Sequence, residues 1–263
     1  MSTLADTLTD SATMLRRNLR HMVRYPSVTG LLVAIPVILL LLFVYVFGTT
    51  LGTGLGGGSG GRSAYVNYVV PGVIMLALAS AAQGTAISVA MDMTEGIIAR
   101  FRTMAISRAA VLTGHVLGSL VQAMLCVAVV VGVAWLIGFR PVAGVPAWIA
   151  AAGVLALTAF ALIWLSVALG LVSRTVESAS NLPMFLVLLP FFGSGFVPTD
   201  SLPTGLRWFA EYQPFTSINE TLRGLLTGTA IGDNALIACV WCTGIALLGY
   251  LWARWLYGRR LVR

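Results

Sequence analysis

The sequence predicts an all-α polytopic membrane protein, and three observations support this fold class. Hydrophobic residues make up 58% of the 263 residues and charged residues only 10%, with a mean hydropathy of +0.93. The apolar residues form long runs separated by short polar stretches. All sixteen basic residues are arginine, and they lie at the ends of those runs. A soluble domain carries far more charge, whereas a run of about 20 apolar residues is long enough to cross a bilayer as a helix.

Residues 11–25 predict an amphipathic helix that lies in the membrane interface before the first span. Its apolar side chains include Leu15, Leu19 and Met22, which cluster on one face, and Pro26 closes the segment. The opposite face carries four arginines, Arg16, Arg17, Arg20 and Arg24. An apolar stripe backed by arginines is typical of a helix that lies flat on anionic lipid. Residues 1–26 are therefore expected to form a cytoplasmic tail and interfacial helix.

Six transmembrane helices are predicted. They cover residues 31–47, 66–91, 109–137, 147–172, 179–197 and 235–257. The glycine-rich stretch after the first span is expected to be a flexible loop, because it has neither the lysine nor the preceding strand of a phosphate-binding loop. The fifth span contains Pro183 and Pro190, so a broken or bent helix is expected there. We expect the whole chain, residues 1–263, to form a single membrane domain.

Residues 198–234 are too polar to cross a bilayer but remain rich in aromatic side chains. This composition predicts short re-entrant helices at the outer interface. Ser217 and Glu220 have the spacing of a capping box, which predicts that one of these helices begins at Ser217.

The polar segment DMTEGIIARFRTMAISR, residues 92–108, separates spans two and three and predicts a short amphipathic helix. At 100° per residue, Ile97, Phe101 and Met104 share one face, and Glu95 and Arg102 lie on the other. Acidic residues come first and arginines last, which is the order that the helix dipole favours. Such a segment is either a solvated loop or a surface helix on which a soluble partner acts.

The arginines predict the topology. Six spans place both termini on one side, and twelve of the sixteen arginines fall on that side, against Arg62, Arg140, Arg207 and Arg223 on the other. Because basic residues accumulate in cytoplasmic loops, both termini and the segment between spans two and three are expected to be cytoplasmic.

The absence of lysine excludes several kinds of chemistry for this chain by itself. A P-loop ATPase needs a lysine at the β- and γ-phosphates, and a Schiff-base enzyme needs a lysine amine. The net charge of +7 does not indicate nucleic-acid binding, because the arginines form no single patch with interleaved aromatic residues. We expect no catalytic residue, no metal site and no nucleic-acid partner in this chain.

Three stretches, together with the order of the spans, resemble the ABC-2 family of exporter permeases. They are NYVVPGVIM, EGIIARFRTMAISR, and the long stretch from NLPMFLVLLPFFGSGFVPTD to ETLRGLLTG. The chain is most similar to the membrane subunit of the daunorubicin/doxorubicin resistance type. One departure is Ala105, where many relatives have a proline.

The resemblance implies a permease of the bacterial cell membrane that exports amphiphilic drugs, antibiotics or lipids. It also implies a homodimer with two copies of a separate ATPase subunit, which would bind ATP and Mg. The helix between spans two and three would be the coupling helix that contacts the ATPase. Its residues would be Glu95, Ile97, Arg100, Phe101, Arg102 and Met104.

Candidate pathway residues are polar groups within apolar spans and large side chains near the bent fifth span. They are Gln83, Ser88, Gln122, Asn181, Met184, Phe185, Phe191 and Phe192. The alternative is that the polar groups make hydrogen bonds between helices and that the large side chains face lipid or the core.

A second function remains open, an ion-gradient-driven secondary transporter. Such a protein usually holds an ionisable group at membrane depth. Asp92 and Glu177 lie at the ends of spans, which leaves His115 as the candidate closest to mid-depth. An intramembrane enzyme is disfavoured, because the spans contain no Ser/His, Asp/Asp or His-x-x-x-His arrangement.

Overall fold

The computed structural model describes residues 26–55, 61–94 and 108–260, and every regular element in these ranges is a helix, which confirms the all-α prediction. Five of the described helices are long and apolar enough to cross a membrane. The elements are α1 (Pro26–Leu42), a π-helical turn (Phe43–Phe47), α2 (Gly48–Leu55), α3 (Gly61–Thr94), α4 (Arg108–Leu136), α5 (Val145–Val172), α6 (Val176–Asn181), α7 (Met184–Leu188), two 3-10 turns (Leu189–Phe192 and Thr199–Ser201), α8 (Thr204–Tyr212), α9 (Pro214–Thr227) and α10 (Asn234–Arg260).

Two long helices, α3 and α5, form the centre of the bundle. In the most apolar part of each, 78% of the α3 residues and 72% of the α5 residues are buried, against 22% to 33% in the other three long helices. Helices α1 and α4 pack on α3, and α10 packs along α5. An all-round apolar helix is expected to lie inside a bundle, so the sequences of α3 and α5 match their central position.

Close contact within the bundle depends on glycines in the helices. A Cβ atom at Gly170 of α5 would lie 2.6 Å from the carbonyl oxygen of Ala86 in α3. A Cβ atom at Gly249 of α10 would lie 2.7 Å from the backbone nitrogen of Leu165 in α5. Only glycine allows the helix backbones to approach this closely, as is common for helices packed within membranes.

The prediction of a flexible loop after the first span is wrong for residues 48–55. The chain continues through the π-helical turn into α2, and α2 packs back against the start of α3. A Cβ atom at Gly52 would collide with the carbonyl group of Gly61. The glycines therefore allow a tight helical hairpin here, and residues 56–60 at its tip lie outside the described ranges.

The predicted fifth span is broken. In place of one helix over 179–197, the chain forms α6, α7 and a 3-10 turn, and all three pack against α3. Pro183 separates α6 from α7, and Pro190 lies in the 3-10 turn. Each proline removes a backbone donor and clashes with the preceding helical turn, which explains why the helix is interrupted at both places. The expectation of a broken helix is confirmed.

The region after the broken segment forms two short α-helices, as predicted, but the capping-box prediction is wrong. Helix α9 begins at Pro214, three residues before Ser217. Gln213 is extended and proline at the first helical position is favoured, so the helix begins there. The Ser217 hydroxyl donates to the Pro214 carbonyl at 2.9 Å, and Glu220 pairs with Arg223.

Helix α9 is largely buried, whereas α8 exposes Trp208 and Tyr212.

Candidate functional site

The predicted coupling residues fall between α3 and α4. The whole set, Glu95, Ile97, Arg100, Phe101, Arg102 and Met104, lies outside the described residues, as do Arg16, Arg17, Arg20 and Arg24 of the predicted interfacial helix. The structure does describe the two helices on either side of residues 95–107, the coupling segment. Helix α3 ends at Thr94 and helix α4 begins at Arg108. The central helix of the bundle therefore leads directly into this segment.

A buried pair of ionisable side chains joins these two helices next to the segment. His115 Nε2 of α4 lies 2.9 Å from Asp92 Oδ2 of α3. Both residues are buried, with 6% and 8% of their surfaces exposed. A carboxylate removed from water is stable only when it is paired or hydrogen-bonded, so this contact fixes α4 against the end of α3.

Sequence reasoning noted Asp92 and His115 separately, as residues near the ends of two spans, but did not pair them. One signal was present in the sequence. Both residues lie within about two helical turns of the segment that joins the two helices, and in an antiparallel helical hairpin such positions approach one another. The pair is a buried ionisable site, but it lies near the ends of the two helices and not in the middle of a span.

The polar pathway candidates occupy different environments. Gln83 Nε2 donates to the Ser180 carbonyl at 2.7 Å, and this bond joins α3 to α6. Ser88 and Asn181 are exposed. Gln122 is half-buried and lines an apolar crevice of about 120 Å³ between α1, α3 and α4. The structure therefore does not bring these four residues into one cavity.

The large apolar candidates are all exposed on the broken segment. Met184, Phe185, Phe191 and Phe192 have 38% to 51% of their surfaces accessible. Phe191 also stacks on Phe196, with ring centroids 4.7 Å apart. Exposed apolar side chains of this size can face lipid, a second protein copy or a lipophilic substrate.

A polar cluster that the sequence analysis missed lies around the turn of residues 193–196, which follows the broken segment. Arg223 of α9 is its centre. The guanidinium donates from Nη2 to the Ser194 carbonyl at 2.7 Å, pairs through Nη1 with Glu220, and lies 3.9 Å from the ring centroid of Tyr68. The Tyr68 hydroxyl donates to the same Ser194 carbonyl at 2.9 Å. These contacts join the start of α3, the turn and α9.

The same cluster holds most of the buried polar atoms that lack partners. In the described part of the chain, eight buried side-chain nitrogen or oxygen atoms make no hydrogen bond. Seven of them belong to Tyr65, Ser194, Gln213, Asn219 and Arg223. Native proteins pair nearly all such groups, and ordered water commonly satisfies those that no protein atom reaches, so buried polar atoms are concentrated at this turn.

Glycine permits the close packing of that turn. A Cβ atom at Gly72 of α3 would lie 2.5 Å from the carbonyl oxygen of Gly195, and one at Gly193 would lie 2.7 Å from Gln213 Nε2. Arg207 on α8 contrasts with the partly buried Arg223, because it pairs with Asp200 and Glu211 at the surface. The hydrogen bond to Glu211 and the charge of Asp200 raise the pKa of the Arg207 guanidinium.

Comparison with known proteins gives a family for this bundle. The family model for the ABC-2 type transporter matches residues 10–227. The chain is 30% identical over 179 residues to a daunorubicin resistance ABC transporter permease protein of Streptomyces coeruleorubidus. It is 25% identical over 183 residues to a probable doxorubicin resistance ABC transporter permease protein of Mycobacterium tuberculosis, in two strains.

These alignments cover 67% and 68% of this chain, and they span 63% and 65% of the two relatives' own lengths. The family model covers most of the chain, from before α1 to the end of α9. The matched region contains four of the five long apolar helices, the broken segment and the segment between α3 and α4. The chain therefore belongs to the ABC-2 type transporter family and is a multi-pass membrane protein.

Proposed function

We propose that this chain is the permease subunit of an ATP-driven exporter, and that its substrates are amphiphilic drugs, antibiotics or lipids. The observation that carries the proposal is the family match over residues 10–227, together with relatives that are named as daunorubicin and doxorubicin resistance permeases. The composition supports it, because these 263 residues contain no lysine and so cannot themselves form the P-loop that hydrolyses ATP.

The proposed topology has six crossings, with the broken segment as the fifth. Both termini and residues 95–107 face the cytoplasm of a bacterial cell in this arrangement. The distribution of arginines supports this orientation, since twelve of the sixteen lie on the proposed cytoplasmic side.

The proposed complex contains two permease copies and two copies of a separate ATPase subunit that binds ATP and Mg. The ATPase would contact the coupling helix. Ile97, Phe101 and Met104 would pack on its apolar surface, and Glu95, Arg100 and Arg102 would make charge-assisted hydrogen bonds that fix the register.

The described helices suggest how movement of the coupling helix would reach the bundle. Helix α3 enters the coupling segment and is the most buried helix of the five, so a displacement of its end acts on the whole core. Asp92 and His115 hold α4 to α3 at this end, so the two helices would move together. The broken segment packs on the same α3, and its exposed aromatic face would be the part of the substrate path that responds.

One observation favours a second candidate function, an ion-gradient-driven transporter. The buried Asp92–His115 pair is an ionisable site at the end of the membrane-spanning region, and proton-coupled transporters use groups of this kind. The two functions differ in their energy source, so a transport assay separates them.

The test uses inverted membrane vesicles from cells that express the chain together with its ATPase partner, and follows the uptake of fluorescent daunorubicin. The exporter predicts uptake that requires ATP and persists when a protonophore collapses the ion gradient. Arg102→Ala should abolish ATP-driven uptake, whereas Arg207→Ala on the exposed helix α8 should not. Uptake that needs the gradient but not ATP would support the secondary transporter instead.

A further inference from the structure

An apolar groove lies on the bundle, apart from the broken segment that forms the proposed substrate path. It has a volume of about 360 Å³ and lies between α3, α4, α5 and the end of α9. Its lining includes Ile74, Met124, Trp135, Trp148 and Leu226, and every other lining residue is apolar or glycine. The volume falls within the range of about 300–1,000 Å³ that is typical of small-molecule sites.

The groove is built by two helical stripes that face each other. On α5 the lining positions are 148, 151, 152 and 155, and on α4 they include 124, 127, 128, 131 and 135. Both sets follow the spacing of one helix face. Alanine and glycine at the middle positions leave room between the helices, so the groove runs along the helix axes.

The length of the groove corresponds to one leaflet of a bilayer. Met124 and Trp135 are eleven residues apart on α4, which is about 16 Å at 1.5 Å per residue. Half of a hydrocarbon core of about 30 Å is about 15 Å. Trp135 and Trp148 lie within one turn of the ends of α4 and α5, where indole rings are enriched at the membrane interface.

A positive charge lies at the interfacial end of the groove. Arg140 Nη1 donates to the carbonyl oxygens of Trp135 and Phe139 at 2.8 and 3.0 Å, which holds the guanidinium beside a residue of the groove wall. Arg140 is exposed and takes part in none of the ion pairs between described residues, whereas Arg207 and Arg223 are both paired with acids. The Arg140 charge is therefore available to an anion at the interface.

We propose that this groove binds a phospholipid with an anionic headgroup from the leaflet on the Arg140 side. One acyl chain lies along the α4 and α5 stripes and ends near Met124, and the phosphate is held by Arg140. Arginine suits this task because its planar fork matches phosphate oxygens. The proposal concerns a resident bilayer lipid rather than a transported substrate, and it does not depend on the proposed function.

The experiment uses full-length protein in nanodiscs that contain a phosphatidylglycerol with a photoactivatable group near the end of one acyl chain. After illumination, labelled peptides are mapped by mass spectrometry. We expect labels on α4 and α5 near Met124. Phosphatidylcholine with the same photoactivatable chain should label these peptides about tenfold less, a difference of ~1.4 kcal/mol.

Two matched substitutions test the site. Ala152→Trp fills the groove and should reduce labelling about tenfold. Ala150, two residues away, is exposed and is not part of the groove wall. Ala150→Trp should therefore leave labelling unchanged. Arg140→Gln should remove the preference for phosphatidylglycerol over phosphatidylcholine while the fold is retained.

Two results would overturn the proposal. Equal labelling in Ala152→Trp and Ala150→Trp would mean that the lipids only surround the bundle. Equal labelling near Met124 by phosphatidylglycerol and phosphatidylcholine in the unmodified protein would mean that the groove does not select an anionic headgroup. Because none of these measurements uses ATP or substrate transport, their outcome is independent of the exporter assay.

Discussion

His115 Nε2 lies 2.9 Å from Asp92 Oδ2, and this buried contact joins the two helices on either side of the segment that carries the predicted coupling helix. The contact spans 23 residues of sequence. It lies at one end of the bundle, whereas the Arg223 cluster holds the start of the same helix α3 against α9. Helix α3 is thus fixed by polar contacts near both of its ends.

Removal of the histidine is expected to destabilise the bundle. His115→Leu deletes one hydrogen-bond partner of a buried carboxylate and should lower the free energy of unfolding by about 1–3 kcal/mol. Asp92→Asn should cost less, because a neutral amide can still accept a hydrogen bond from the ring. Thermal unfolding of the detergent-solubilised protein, with Ser88→Ala on an exposed position of α3 as control, measures both effects.

The contact predicts coupling between the two substitutions. In a double-mutant cycle, His115→Leu should cost less in the Asp92→Asn background than in the wild type, because the charged partner is already gone. Strictly additive effects would show that the pair does not hold the two helices together.

The approach of α5 to α3 predicts different effects for two glycines of one helix. Gly170→Ala places a methyl group 2.6 Å from the Ala86 carbonyl oxygen, so the helices must separate, at a cost of about 1–3 kcal/mol. Gly153→Ala meets no atom within 4 Å and should be neutral or stabilising by about 0.5–1 kcal/mol, since alanine favours the helix. The melting temperatures of the two variants provide the comparison. Equal melting temperatures would contradict the observed packing of the two helices.

The cluster around Arg223 predicts that the turn after the broken segment opens when this side chain is neutralised. Arg223→Met removes the donor to the Ser194 carbonyl and the cation over the Tyr68 ring. The expected result is faster reaction of a thiol at Ser194→Cys with a polar maleimide, measured with Cys239→Ser as background because Cys239 is exposed.

Arg207→Met is the matched control for this experiment, since it also removes an arginine that pairs with acids, but at the exposed surface of α8. It should leave the labelling rate at Ser194→Cys unchanged. Similar rates in both variants would show that Arg223 does not close the turn.

The sequence predicted the helices well, because hydrophobic periodicity and span length are local properties. The starts and ends of α5 and α10 lie within a few residues of the expected bounds. Pro183 and Pro190 predicted the broken segment for the same reason, since a proline interrupts a helix through its own ring and missing donor.

The errors arose where tertiary contacts decide the local structure. The glycines near Gly52 look like a flexible loop in sequence, but they permit a close backbone contact with Gly61. Ser217 and Glu220 have capping-box spacing, but the extended Gln213 followed by Pro214 starts the helix earlier, and Glu220 pairs with Arg223.

Most of the candidate site could not be predicted for a related reason. The contacts of Asp92 with His115, and of Arg223 with the Ser194 carbonyl, join residues that are far apart in sequence. Their partners depend on how the helices pack. The positions of Asp92 and His115 beside the segment between two antiparallel helices indicate that the two residues approach one another, but no such signal exists for Arg223 and the Ser194 carbonyl. Gln83 illustrates the same limit, since its partner is a backbone carbonyl of α6.

Co-purification of an ATPase with the tagged chain from detergent-solubilised membranes is the decisive test of the proposed exporter. The exporter account predicts a stoichiometric ATPase subunit whose association is lost in Phe101→Ala and Arg102→Ala but kept in Arg207→Ala. A chain that purifies alone, and that moves substrate in liposomes under a proton gradient without ATP, would contradict the account and would point to the Asp92–His115 pair as the coupling site.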